Sequence, residues 1–333
     1  MGRPVPEEGE PMKCDELPAI LDDSVFSRDP DRRLGPSRSR TMRVERLPRL
    51  LYLEPISACN LSCRMCYTNV VNGPDRRIVP AEVLLDFVRR FVDATPGQVE
   101  VYWCGTGEVF LHKELPTVVR RILADYPEER VTQRIQTNGT LDRLDEIGPL
   151  DRLDFSVSID GSREFHEWHR GEGTYDTTLA FCRRIFDRGG RSVSVRCLLT
   201  RRNIHHLDAF HAELVARVGP RVELQLHAPY TNPALRAVRS TALAIRQGDI
   251  EDAAAIPPEE AERILAERYR GRYSVDASAD KVDNYLSLTT YGVFTCCHGI
   301  LRIGDPTDGV PVLRERMSAR EGDCRRCAMF PCM

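Results

Sequence analysis

Between residues 48 and 230 the hydropathy pattern switches period repeatedly, and this limits the possible folds more than any other feature of the chain. Short runs at 51–54, 99–103, 131–137, 153–159, 192–199 and 222–226 read as strands. Stretches with apolar residues at helical spacing separate them. Val83, Leu84, Phe87, Val88 and Phe91 form one such stripe, and Leu115, Val118, Val119, Ile122 and Leu123 a second. Later stripes run through Leu179, Cys182, Ile185 and Phe186, and through Leu207, Phe210, Leu214 and Val218. Asn138-Gly139, Asp160-Gly161 and Gly189-Gly190 punctuate the pattern as turns and stops. Strands alternating with helices predict an α/β fold with a parallel sheet. Six units rather than eight predict an open, partial (β/α)6 barrel.

The rest of the chain frames this core. Residues 1–45 are rich in Pro, Glu, Asp and Arg and read as a poorly ordered arm. The core is expected over 46–232, followed by a polar linker over 233–290 that turns helical around 258–269. Residues 291–333 read as short strands and cysteine-bearing loops, too few to form a core without a metal. The 47 basic and 50 acidic residues leave a net charge of −3, which argues against a nucleic-acid binder driven by phosphate contacts. No apolar run approaches the roughly 18 residues of a membrane span. The first residues lack an apolar signal core, so a cytoplasmic protein without a membrane partner is expected.

Twelve cysteines are unusual for such a chain. In a reducing compartment, clustered thiols are more often metal ligands than disulfides. Cys59, Cys63 and Cys66 fall within eight residues on the loop after the first strand. Thiolates are the usual ligands of iron–sulfur clusters. Three of them on a four-iron cubane leave one iron open to a small molecule. The alternative, a structural zinc loop, calls for four ligands in two pairs.

The run Cys59-Asn60-Leu61-Ser62-Cys63-Arg64-Met65-Cys66-Tyr67 resembles the signature of radical S-adenosylmethionine (radical SAM) enzymes. The resemblance implies a 4Fe–4S cluster on Cys59, Cys63 and Cys66, with SAM on the fourth iron and Met65 near the adenine. One electron then cleaves SAM to methionine and a 5′-deoxyadenosyl radical, which takes a hydrogen atom from the substrate. The likeness continues at later strand ends. Gly105-Thr106-Gly107-Glu108 stands where the family has a Gly-Gly-Glu motif for the SAM amino group. Thr137-Asn138-Gly139-Thr140 and Ser156-Val157-Ser158-Ile159-Asp160-Gly161, with His166, His169 and Arg170 beyond, also fit. Carried over, Thr106, Gly107, Glu108 and Asn138 line the cofactor site. Ser158 and Asp160 lie near the SAM carboxylate and ribose, and Arg170 or Arg196 pairs with the carboxylate. Taken singly, Asn138-Gly139 and Asp160-Gly161 read as turns, Glu108 as a helix-start charge, and His166 and His169 as packed or solvated residues.

The second cluster, Cys324, Cys327 and Cys332, closes the sequence, with Cys296-Cys297 upstream. It resembles the SPASM or twitch extension of radical SAM enzymes. That implies one auxiliary iron–sulfur cluster on Cys297 (or Cys296), Cys324, Cys327 and Cys332, although four cysteines suit zinc by count. Cys182 and Cys197 stand at core positions, where thiols pack as small hydrophobes, and packing is also expected of Cys104. The single-cluster form implies a small polar metabolite as substrate: a sugar, aminocyclitol or nucleoside of a natural-product pathway, undergoing oxidation, elimination or decarboxylation. The short N-terminal arm, with no room for a leader-peptide-binding domain, agrees. Glu54, His227 and Tyr230 at strand ends are candidate substrate contacts or bases. Flavodoxin or ferredoxin is the implied electron donor. A peptide-modifying radical SAM enzyme and a zinc-bearing, non-catalytic binding module are the alternatives.

Overall fold

The computed structural model describes residues 48–64, 66, 76–227, 256, 258–274, 285–290, 292–294 and 302–324. Six parallel strands follow one another in chain order: β1 (Leu50–Leu53), β2 (Val99–Trp103), β3 (Val131–Thr137), β4 (Leu153–Ser158), β5 (Ser192–Leu198) and β6 (Val222–His227). Helices α1 (Ala81–Ala94), α2 (Leu115–Asp125), α3 (Leu144–Ile147), α4 (Arg163–Arg170), α5 (Thr174–Asp187) and α6 (Leu207–Arg217) connect them. This is the expected α/β architecture, with a sheet that stays open. Its strand order is β6-β5-β4-β3-β2-β1-β7-β8-β9.

Strand alternation sorts the side chains. On β3, Val131, Gln133, Ile135 and Thr137 are buried, while Thr132, Arg134 and Gln136 between them are half-buried. Gln133 faces the helices: its amide donates to the Val119 carbonyl of α2 at 3.2 Å, and its oxygen accepts from the Trp103 indole at 2.9 Å. The opposite face of the sheet is therefore the polar one. The helices cover the apolar face with the stripes read from the sequence. Leu84, Phe87, Val88 and Phe91 of α1 are fully buried, and so are Val119 and Ile122 of α2. Each such side chain contributes about 1.5–3 kcal/mol by leaving water. Cys182 and Cys197 are fully buried in this core, as expected.

Beyond β6 the structure holds more than the sequence pattern predicts. Helix α7 (Pro258–Tyr269) matches the expected one. Within the same segment, expected as linker, β7 (Tyr285–Thr289) runs parallel to β1 and widens the main sheet. Strands β8 (Gly292–Phe294) and β9 (Arg302–Gly304) then continue it antiparallel. Residues 305–309 lead from β9 through a turn into α8 (Val310–Cys324), a helix in a segment expected as short strands and loops. Arg90 of α1 anchors that turn, donating to the Asp308 carbonyl at 2.8 Å and to the Pro306 carbonyl. No described helix is long and apolar enough to cross a membrane.

Candidate active site

The C-terminal ends of the parallel strands, or the loops just after them, carry Glu54, Cys59, Cys63, Cys66, Thr106, Gly107, Glu108, Asn138, Ser158, Asp160, Arg196 and His227, as in α/β barrels generally, while Arg170 closes α4. The cysteine loop leaves β1 there and is fixed on three sides. The Ser57 amide donates to the Arg77 carbonyl at 3.0 Å, and the Arg77 amide donates back to the Ser57 hydroxyl at 2.9 Å. The Glu108 amide donates to the Ala58 carbonyl at 2.9 Å. On the far side, the Arg64 amide donates to the His169 carbonyl of α4 at 2.8 Å. Cys59, Cys63 and Cys66 are half-buried and unbridged by disulfides. Burial pushes the Cys63 thiol up to about 12, opposed by the Arg170 charge, so a thiolate there calls for a metal.

Gly107 explains how closely β2's loop can approach. A Cβ at this position would lie 2.4 Å from the Ala58 carbonyl oxygen and 2.5 Å from that of Ile56. Both are backbone atoms of the cysteine loop and cannot turn aside. Gly107→Ala is therefore expected to push the loop off its seat and lose most of the protein's iron, measured by metal analysis after anaerobic reconstitution. At Gly105, φ is +133° and a Cβ would strike the Glu54 side chain; glycine meets both demands.

Glu108 is a brace. One carboxylate oxygen accepts from the Thr137 hydroxyl at 2.6 Å and the Phe110 amide at 3.2 Å; the other accepts from the Asn138 amide at 2.7 Å. It thereby caps the single turn Val109–Leu111 and ties β2's loop to the end of β3. Burial raises its pKa against these hydrogen bonds. Asn138 passes the tie to the cysteine loop. Its amide nitrogen donates to the Asn60 side chain at 2.9 Å and lies 3.9 Å from Cys59 Sγ, within reach of an N–H···S contact. Thr137 and Asn60 stand inside the sequence motifs, which assign neither of them a role of its own. The Thr106 amide is taken by the Glu54 carboxylate at 2.7 Å.

Glu54 itself is buried at the end of β1, and its second oxygen accepts from the Thr290 hydroxyl at 3.1 Å. Burial raises its pKa. Its partners mark it as a link between β1, β2's loop and the residue after β7.

A buried ionic group lies across from the cysteines. Asp160, fully buried, accepts from Arg170 Nε at 2.6 Å and from the Leu198 amide at 2.9 Å; His169 lies 3.6 Å away. Burial, the largest influence, would raise its pKa, but Arg170 and His169 together hold it at about 2. Burial depresses His166 and His169 to about 4, so both are neutral at pH 7 and packed. The terminal nitrogens of Arg170 have no hydrogen-bond partner among the described residues. The Cys63 and Cys66 sulfurs lie near enough that thiolates there would favour the charged form of this guanidinium.

The polar face of the sheet contributes a second arginine. Arg196 of β5 sits beside Ser158 of β4 in register, donates to the Tyr102 hydroxyl at 3.0 Å, and lies 3.2 Å from His227 Nδ1. Tyr102 donates onward to Gln136 at 2.7 Å. Burial, then the Arg196 charge, depresses His227 to about 3, which makes it a poor base at pH 7. Tyr102 and Gln136 belong to no motif; their signal in the sequence is a polar residue at every position of β2 and β3 that faces away from the helices. Cys104 stands on the same face half-buried, its thiol pushed up by burial. Met65, Tyr230, Cys296, Cys297, Cys327 and Cys332 lie outside the described residues. Cys324 closes α8, but its side chain is not described.

The family model described as the Radical SAM superfamily matches residues 53–214, from the end of β1 into α6. Residues 53–214 form a radical SAM domain. A radical SAM enzyme of this kind uses SAM and a 4Fe–4S cluster, and the donors fit that demand: three thiols on one braced loop at the strand ends. Among the described residues no three Cys, His, Asp or Glu side chains converge closely enough to chelate a single ion. Among curated proteins, the mycofactocin maturase MftC of Mycolicibacterium smegmatis is 25% identical over 53% of this chain and 44% of its own length. The match thus spans less than half of that relative. Two solved structures share the fold. Native anSMEcpe with bound AdoMet and Cp18Cys peptide superposes with a TM-score of 0.62 at 17% identity, over 85% of this chain and 87% of its own. Streptococcus suis SuiB bound to precursor peptide SuiA gives 0.54 at 13% identity, over 79% and 64%.

Proposed function

We propose that this radical SAM enzyme modifies a peptide. The carrying observation is the braced thiol loop of Cys59, Cys63 and Cys66, set at the strand ends of an open sheet whose face away from the helices is polar. The peptide half rests on the relatives: a maturase, and two folds solved with bound peptide. It replaces the small-metabolite expectation, which leaned on the length of the N-terminal arm and on cysteines outside the described residues. The proposed outcome is oxidation of the peptide, with an auxiliary cluster on Cys297 (or Cys296), Cys324, Cys327 and Cys332.

When bound, the cluster and SAM supply a 5′-deoxyadenosyl radical. The chain's part is to hold and orient. Asn138 steadies Cys59, while Glu108 and Gly107 fix the backbone beneath the loop. For the SAM carboxylate, Arg170 offers two terminal nitrogens in a planar fork, steadied through Nε by Asp160. Arg196 already spends its own on Tyr102 and His227, and with Ser158 lines the approach to the site. Glu54, a weak candidate for proton transfer, is better read as a link because both its oxygens are taken.

The test is anaerobic. Peptides encoded beside the gene, with deuterium in their side chains, are incubated with the reconstituted enzyme, SAM and dithionite. Deuterium in the 5′-deoxyadenosine and a peptide mass altered by hydrogen loss are expected. Deuterium transfer from a sugar or nucleoside, with none from peptide, would return the reading to a small metabolite.

A further inference from the structure

Beside the thiol loop the surface carries two arginines with no carboxylate partner among the described residues. Arg64 lies between Cys63 and Cys66, and Arg202 lies in the turn after β5; both are exposed. Both stack on one indole: their guanidinium carbons lie 5.5 and 4.3 Å from the centre of the Trp168 ring. Trp168 in turn stacks on Phe165 at 5.4 Å. Arg64 Nε also donates to the Trp168 carbonyl at 2.6 Å, so this patch and the thiol loop are joined. Several other surface arginines are paired with carboxylates. Arg201, the neighbour of Arg202, forms a two-pronged bridge to Glu260, and Arg89, Arg163, Arg184 and Arg217 each meet an aspartate.

Two like charges gathered on one aromatic ring repel each other. On a chain of net charge −3 they form a local positive spot. Such a spot steers an acidic partner and fixes its orientation. Arginine and tryptophan are also the residue types that dominate binding energy at interfaces. The spot adjoins the backbone of Cys63 and Cys66, so a partner docked on it lies next to the thiol loop. We propose that the Arg64–Trp168–Arg202 face docks a small acidic one-electron donor protein, of the flavodoxin or ferredoxin class. The electron then enters from the Cys63–Cys66 side of the loop. This rests on the radical SAM reading above, because the donor's electron is the one that cleaves SAM. In the step, the donor loses one electron, the site at Cys59, Cys63 and Cys66 gains it, and no atom is transferred.

The test uses the reconstituted enzyme, its Arg202→Glu and Arg202→Lys variants, and a flavodoxin. Binding of oxidised flavodoxin is followed by calorimetry at low and moderate salt. SAM cleavage is driven in parallel by reduced flavodoxin and by dithionite. Reversing one charge in a steered interface is expected to weaken flavodoxin binding, and the flavodoxin-driven kcat/KM, by about ten-fold. Arg202→Lys should stay near wild type, salt should weaken wild-type binding most, and the dithionite-driven rate should not change. Unchanged flavodoxin affinity in Arg202→Glu overturns the proposal. So does a variant that binds flavodoxin normally but loses affinity for its peptide, which would make the face a substrate dock. Absence of dithionite-driven cleavage in wild type would instead defeat the radical SAM reading. The binding isotherms would then still decide whether this face holds the donor.

Discussion

Replacing any one of Cys59, Cys63 or Cys66 by alanine is expected to abolish 5′-deoxyadenosine formation and to strip iron from the loop. The reason lies in the number and placement of donors. Three thiols serve one group, and none has a substitute: Asp160 is occupied by Arg170 and Leu198, and Glu108 by Thr137, Phe110 and Asn138. The protein should otherwise fold, because the loop is seated by backbone and Ser57 contacts rather than by the thiols. Iron analysis, circular dichroism and chromatography of 5′-deoxyadenosine on the same samples check this. The control is Cys104→Ala, on the polar face but off the loop, which should keep its iron. Any of the three loop variants that still made 5′-deoxyadenosine would sink the cluster assignment.

The sequence made the sheet legible because its signal is periodic and local. Residues 99–103 and 131–137 alternate, and the strands β2 and β3 occupy those residues. Less was visible where the apolar residues are sparse. Val310, Leu313 and Met317 sit at i, i+3 and i+7 and are buried along α8, but three positions in a polar 15-residue helix, with Pro311 at its start, make a thin stripe. Strand β7 alternates over only five residues and gains its place from pairing with β1, a contact no local window contains. The site divides in the same way. A motif such as Cys59-x3-Cys63-x2-Cys66 is written in consecutive residues. The partners of Glu108 are not: Thr137 reaches it only because β2 and β3 are neighbours in the sheet. The motif assigns Glu108 to the cofactor site; that it also ties β2's loop to β3 and to the cysteine loop is visible only in the fold.

The same distinction sets the second large effect. The resemblance places Asp160 near the SAM carboxylate and ribose. In the structure it is the counter-charge of Arg170, itself mostly buried, and Arg170 adjoins the end of α4 that carries the thiol loop. Asp160→Ala therefore leaves a buried guanidinium with no carboxylate and the Leu198 amide with no acceptor. Breaking a buried pair on one side typically costs about 3–5 kcal/mol. Urea unfolding should show this loss, and iron content should fall with it, because α4 supports Arg64. Asp160→Asn keeps an acceptor for Leu198 but not the charge, and should recover only part. Adding Arg170→Leu to Asp160→Ala should recover the part of the stability lost to the unpaired guanidinium, though not the Leu198 hydrogen bond, and should not restore SAM cleavage if Arg170 holds the carboxylate. The pH dependence has a definite sign. Asp160 is held at about 2 in the fold against an ordinary 3.8. Its contribution is therefore complete above about pH 4 and is lost as pH falls toward 2. His166 and His169, held neutral by burial down to about 4 from an ordinary 6.5, add acid sensitivity at higher pH, because the unfolded chain takes up their protons first. The stability gap between wild type and Asp160→Asn should thus be constant from pH 8 to about pH 5 and close below about pH 4. A gap that stayed constant on acidification would mean that the charge of Asp160 contributes nothing beyond its shape and hydrogen bonds.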